Sequence, residues 1–218
     1  IHYLLSCNIG EIFTIFIATV LGFHQMPLLP VQLLWLNLVT DSLPALALGV
    51  EPVEEGIMDR KPRRSDENLF SRAFSFRLLW QGVMVGLLTL GAYVLGEYVL
   101  SDPGEACQAA NTMAFATLTL CQLFHAFDVR SEYHSLFHIG VFSNPAMNKA
   151  FLVGLAMQLS VLLLPPLQVI FQTVPMNAAE WSAVLVLSLT PVVICELGKR
   201  LGRKSQAAPS VQKVGSVR

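Results

Sequence analysis

Six apolar stretches, each long enough to cross a lipid bilayer, dominate this 218-residue chain and leave little room for any other architecture. They run from about Ile1 to Phe23, Pro30 to Val50, Phe76 to Leu100, Asn111 to Phe127, Lys149 to Phe171 and Ala179 to Leu197. At ~1.5 Å per residue, ~20 helical residues cover a ~30 Å hydrocarbon core; the fourth stretch is the shortest of the set. Strands of a membrane barrel would alternate apolar and polar side chains over ~10 residues, and these runs do not. Composition agrees: 54% of residues are hydrophobic and 13% charged, about half the ~25% charge of a water-facing domain. A soluble globule and a disordered chain are both excluded. The net charge of −1 supplies no basic field for nucleic acid. The expected fold class is all-α membrane, a bundle of six transmembrane helices over residues 1–204.

The connecting segments predict which way the helices face. Those around 24–29, 101–110 and 172–178 contain no Lys or Arg, whereas Arg60, Lys61, Arg63, Arg64, Arg72, Arg130, Lys149 and Lys199 lie in or beside the others. By the positive-inside rule the basic segments are cytoplasmic, and with six spans both chain ends are cytoplasmic too. The first run starts at Ile1 with no initiator methionine and no charged n-region, which reads as a cut from a longer protein and not as a signal peptide. Residues 205–218 are expected to form a disordered cytoplasmic tail. The tail holds no retention or regulatory signal, which suits a bacterial plasma membrane. Cys7, Cys107, Cys121 and Cys195 have no CxxC spacing, and the three in apolar runs read as small core residues.

Carboxylates within a membrane helix cost several kcal/mol by insertion scales and mark function by default. Two stand out. Glu11 has Asn8 on its own helical face, and Asp41 has Asn37 on its face, with Thr40 pointing ~100° away. A regular helix could not converge Asn37, Thr40 and Asp41 of the second run on one point. Pro44 supplies a reason for irregularity, since it cannot donate to the carbonyl of Thr40, and the second helix is expected to be unwound near its middle. Freed carbonyls near Thr40 and Asp41 would then line a cavity or meet an ion. Carboxylate, amide, hydroxyl and carbonyl form an all-oxygen set, suited to a hard cation such as Ca2+. The bland alternative is that these groups, and Gln122 of the fourth run, hydrogen-bond between helices as packing glue.

Other polar positions read as structural. His134 and His138 form a solvated loop pair, His125 an interfacial anchor, and Glu196 an ion pair with Lys199 or Arg200. Gly82 and Gly86 make a GxxxG that favours close helix contact, and Pro165-Pro166 breaks or kinks the fifth run. No Gly-rich nucleotide loop, G-x-S-x-G or HExxH is present, so no catalytic residue is assigned.

The run LLWLNLVTDSLPALALGVEP (Leu33 to Pro52), followed by IMDRKPR (Ile57 to Arg63), resembles the sixth membrane helix and following loop of P-type calcium-transporting ATPases. HYLLSCNIGEI (His2 to Ile12) is similar to that family's fifth helix and TMAFATLTLCQLFHAF (Thr112 to Phe127) to its eighth. The resemblance extends to about Lys204 and implies helices five to ten of such a pump. It implies that Asn8, Glu11, Asn37, Thr40, Asp41 and Gln122 hold the transported ion, with Asp41 bridging. Gln122 stands where two-site pumps carry Glu, while Glu11 is a residue that one-ion pumps lack, so the two features point to different site counts, one ion being favoured. ATP and Mg2+ would act only through absent domains: actuator, phosphorylation and nucleotide domains, together with the first four helices. The implied function is the ion-binding part of an ATP-driven pump that exports Ca2+, with H+ as counter-ion. A pump for Mn2+ or Na+, and a free-standing channel or accessory subunit, are the rival readings.

Overall fold

The computed structural model describes residues 1–23, 25–52, 71–100, 106–131 and 135–206, and those residues contain helices and no strands. The IMDRKPR segment with Arg60, Lys61, Arg63 and Arg64, His134, and residues 207–218 of the tail lie outside the described residues, as do the side chains of Arg200, Arg203 and Lys204. Helix α1 is His2–Val20. The second run is interrupted, as expected: α2 (Pro30–Trp35) passes into a π-helical turn at Leu36–Thr40, and α3 (Ser42–Gly49) resumes after Asp41. Helix α4 (Arg72–Leu95) widens into a second π turn at Gly96–Leu100. Then follow α5 (Ala106–Asp128), the short α6 (Leu136–Ile139), α7 (Pro145–Leu163), α8 (Pro165–Phe171) and α9 (Ala178–Gln206).

Among the described residues, five stretches are long and apolar enough to cross a membrane: His2–Val20, Pro30–Gly49, Phe74–Leu100, Pro145–Leu163 and Ala178–Lys199. The fourth expected span falls on α5, which is long enough but is not in that set. The reason is its environment. From Ala109 to Asp128 every residue of α5 except Phe124 is buried, because α4, α9 and α7 pack around it. A helix sheathed by protein has no lipid-facing stripe to make apolar, so Asn111, Thr117, Thr119 and Gln122 are tolerated on it. Its apolar positions, among them Phe115, Leu118 and Leu123, form the main core with Val161 and Leu162 of α7 and Val184 of α9.

The GxxxG of α4 finds its partner in α1. A Cβ on Gly82 would lie 2.5 Å from Ile9 Cγ2 and 3.0 Å from the Ser6 carbonyl oxygen, and one on Gly86 would lie 2.7 Å from Phe13 Cδ1 and 3.1 Å from the Gly10 carbonyl oxygen. Only hydrogen fits at those two positions, and the close approach fixes how deep α1 sits against its neighbour.

The prolines act as breaks that are then repaired. Leu164 is extended (φ −90, ψ 117) between α7 and α8, so the fifth run is two helices, the second beginning at Pro165, where no N–H is needed. The Leu162 carbonyl accepts from Gln168 Nε2 at 2.6 Å. Pro191 inside α9 leaves the Leu187 carbonyl without its usual donor,, and the Cys121 thiol reaches that oxygen at 3.9 Å. At one end of the bundle, Arg130 clamps three elements. It binds Glu51 Oε1 through Nη2 at 2.7 Å and through Nε at 2.9 Å, and donates to the Gly140 carbonyl at 3.1 Å. Asn144 adds a bond to Glu51 Oε2 at 2.6 Å. Glu196 is the structural group expected: it lies 3.5 Å from Lys199 and accepts from Leu136 N at 2.8 Å and from the Ser135 hydroxyl.

Candidate cation site

The π turn decides what the second span presents. Asp41 N–H donates to the Leu36 carbonyl at 2.9 Å, a five-residue closure that a regular helix lacks,. The extra residue turns Thr40 and Asp41 inward together, and both are buried. Pro44 cannot donate to the Thr40 carbonyl. The expectation that Asp41's carbonyl is also released is corrected, because that oxygen accepts from Ala45 N at 3.1 Å.

Two carboxylates from two helices lie inside the bundle, Glu11 at 5% exposure and Asp41 at 1%. Glu11 is bracketed by amides: Asn37 Nδ2 donates to its Oε2 at 2.8 Å and Gln122 Nε2 to its Oε1 at 3.0 Å. Residues from α1, the π turn and α5 therefore meet at one carboxylate. Asp41 Oδ1 accepts from the Tyr3 hydroxyl at 3.3 Å, and the Cys7 thiol stands beside both. Asp41 Oδ2 and Gln122 Oε1 are buried and have no hydrogen-bond partner among the described residues. A buried carboxylate oxygen without a donor costs free energy that a cation recovers.

The remaining expected residues are placed less directly. The Thr40 hydroxyl donates to the Leu36 carbonyl at 2.9 Å, leaving its oxygen lone pairs within the same turn. Asn8 is half-buried, and its amide donates back to the Leu4 carbonyl at 3.0 Å. Asn37 sits on an exposed face, although its amide reaches Glu11.

Tyr3 was not among the expected site residues. Its signal is a local one: Tyr3, Cys7 and Glu11 recur every fourth residue and so share one face of α1. His125 requires a correction. It is not at an interface but 1% exposed, with Nε2 at 3.2 Å from the Ser6 hydroxyl. The enclosure of α5 explains the difference, because the position of His125 near the end of the fourth run does not reveal the helices packed around it.

Glu11 meets the side-chain amides of Asn37 and Gln122, and carboxylate and amide oxygens are the donor types of a hard cation. Cation binding at Glu11 requires the Asn37 and Gln122 amides to rotate and offer oxygen in place of N–H.

Comparison with known proteins gives a consistent picture. Residues 25–201 match the family described as "Cation transporting ATPase, C-terminus". The chain is 42% identical over 211 residues to calcium-transporting ATPase 1 of Bacillus cereus, covering 91% of this chain and 24% of that protein. It is 40% identical over 204 residues to a calcium-transporting ATPase of Bacillus subtilis, covering 94% and 22%. An endoplasmic reticulum calcium ATPase of Aspergillus fumigatus is 32% identical over 238 residues, covering 97% of this chain and 24% of its own length. The chain thus spans about a quarter of the length of these curated relatives.

Proposed function

The chain belongs to the family of cation-transporting ATPase C-terminal domains, and from that premise we propose that it is the ion-binding membrane part of a P-type pump that exports Ca2+ from the cytoplasm. The observation that carries the reading is the convergence of Glu11 and Asp41 from two helices, with Asn37 and Gln122 at hydrogen-bond distance from Glu11 and an orphaned oxygen on Asp41. In the complete pump, phosphorylation elsewhere would bias the bundle between an inward-open, tight-binding state and an outward-open, weak-binding one. Asp41 changes aim when the π turn at Leu36–Thr40 tightens or opens, which is a local means of altering affinity. When Ca2+ leaves, protons on Glu11 and Asp41 would neutralise the two buried charges, so H+ is the proposed counter-ion. The names of the Bacillus relatives support calcium as the ion and a bacterial plasma membrane as the location, and the basic segments support cytoplasmic ends. ATP, Mg2+ and the catalytic domains belong to the remainder of the pump, its principal partner.

The test is phosphoenzyme formation from labelled ATP by the full-length pump, with Ca2+, Mn2+, Na+ or chelator, beside Asp41→Asn. Labelling that needs Ca2+ and vanishes in Asp41→Asn is expected. Labelling driven by Mn2+ or Na+ instead refutes calcium as the cargo, and undiminished labelling in Asp41→Asn removes Asp41 from the site.

A further inference from the structure

Where α5 meets α9, an imidazole nitrogen of His125, a carboxylate oxygen of Asp128 and the sulfur of Cys195 lie within 4.8 Å of one another. The cation-transport reading uses none of them. Hydrogen bonding sets the state of the imidazole. The Ser6 hydroxyl donates to the Tyr3 carbonyl at 2.8 Å, so its oxygen is an acceptor for His125 Nε2 at 3.2 Å. A neutral ring then carries its proton on Nε2 and presents a lone pair at Nδ1. That lone pair faces Asp128 Oδ2 across 3.8 Å, too far for a hydrogen bond. Among the described residues neither Nδ1 nor either carboxylate oxygen of Asp128 has a hydrogen-bond partner, although Asp128 is 3% exposed. Buried lone pairs aimed at each other, with nothing donating to them, ask for a shared cation.

The third group narrows its chemistry. Cys195 is half-buried and is touched by Gln81 Nε2 at 3.7 Å. Lys199 is a positive neighbour of Cys195; its Nζ donates to the Asp128 main-chain carbonyl at 2.8 Å and lies 3.5 Å from Glu196, whose charge offsets it. Nitrogen, oxygen and sulfur donors together select borderline-soft divalent ions over Ca2+ or Mg2+. The Ser6 contact at Nε2 is the outer-shell partner that orients a metal-binding histidine.

We propose that His125 Nδ1, the Asp128 carboxylate and Cys195 Sγ form a second metal site, for a divalent cation of the zinc class, with water as fourth ligand. Its donor set separates it from the all-oxygen site at Glu11 and Asp41. Tetrahedral zinc bond lengths put nitrogen and oxygen ligands ~3.4 Å apart and sulfur ~3.6 Å from either; His125 Nδ1 and Asp128 Oδ2, 3.8 Å apart, need to close by ~0.4 Å and the sulfur by ~1.2 Å at most. Binding displaces the thiol proton to solvent, so affinity rises with pH.

Co2+ titration of the full chain in detergent tests the site. One equivalent should develop visible d–d bands with a sulfur-to-cobalt charge-transfer absorption, and Zn2+ should displace it. Cys195→Ser should abolish the charge-transfer absorption, whereas Cys107→Ser and Cys121→Ser should retain it. Asp128→Asn keeps the side-chain shape and should weaken Co2+ binding ~10-fold or more, which carries the test if Cys195→Ser does not fold. Absence of the charge-transfer band in the unmodified chain overturns the proposal. Persistence of the band in Cys195→Ser, or unchanged affinity in Asp128→Asn, overturns it equally.

Discussion

Gly82→Ala isolates the contact on which the position of Glu11 depends. The new methyl would sit 2.5 Å from Ile9 Cγ2 and 2.7 Å from Ile9 Cβ, against an optimal carbon–carbon separation of ~3.5–4.0 Å. The shortfall is ~1 Å. Ile9 cannot swing aside, because a β-branched residue has essentially one χ1 rotamer in a helix, and its Cβ moves only with the backbone. Helix α1, carrying Glu11 one half-turn beyond, must therefore retreat from α4. Overpacking of this kind costs ~1–3 kcal/mol. Replacing a helical glycine also returns ~0.5–1 kcal/mol of backbone entropy, and Gly91→Ala provides the control for that term. Gly91 is in the same helix and a Cβ there meets nothing within 4 Å. The entropy gain cancels between the two variants, so Gly82→Ala should be less stable than Gly91→Ala by ~1–3 kcal/mol, several degrees in the thermal midpoint for a chain of this size. Thermal unfolding in one detergent, followed by tryptophan emission, reads the difference. Equal midpoints for the two variants would refute the close α1–α4 contact and the fixed depth of Glu11 that rests on it.

Further outcomes are expected elsewhere in the bundle. Arg130→Ala strands Glu51 against Asn144 and should lower stability by ~3–5 kcal/mol, measured as the unfolding midpoint, whereas mutating exposed Lys or Arg should not. Gln32→Ala, at a fully buried residue whose Nε2 reaches Asn111 Oδ1 at 2.7 Å and the Phe171 carbonyl at 3.0 Å, should cost ~1–3 kcal/mol through the unpaired acceptors it leaves. Cys121→Ala should be tolerated better in a Pro191→Ala background than alone, since residue 191 then supplies the donor that the thiol replaced; a double-mutant cycle on the unfolding midpoint gives the coupling, and additivity would disprove it. Maleimide labelling in detergent should modify Cys107 and Cys195 before Cys7 and Cys121, which are buried; simultaneous modification would contradict the packing.

How much of this was legible in the chain varies residue by residue. The break at Leu36–Thr40 could be foreseen because Pro44 withholds an N–H from a fixed position, and a backbone defect is a local matter. The break at Leu164 follows from Pro165 in the same way. Glu11 and Asp41 were visible as site candidates because a carboxylate in an apolar run is anomalous wherever its helix packs. The pairing of Asn37 and Gln122 with Glu11, and of Tyr3 with Asp41, was not visible. Each spans tens of residues and exists only because three helices meet at one depth.

Hydropathy and loop charge are properties of short windows, so the amino-acid sequence by itself determined the membrane class, the approximate spans and the residue types able to meet a hard cation. Rotation and depth of each helix are set by contacts between distant segments, above all the glycine seam of Gly82 and Gly86 on α1 and the sheathing of α5. Those contacts alone decided that α5 is enclosed, that His125 faces Asp128 inside the bundle, and that Asn37 and Gln122 meet Glu11. A span's apolarity is read along the chain, but the partner of a buried polar atom is chosen across it, where only packing geometry can supply the answer.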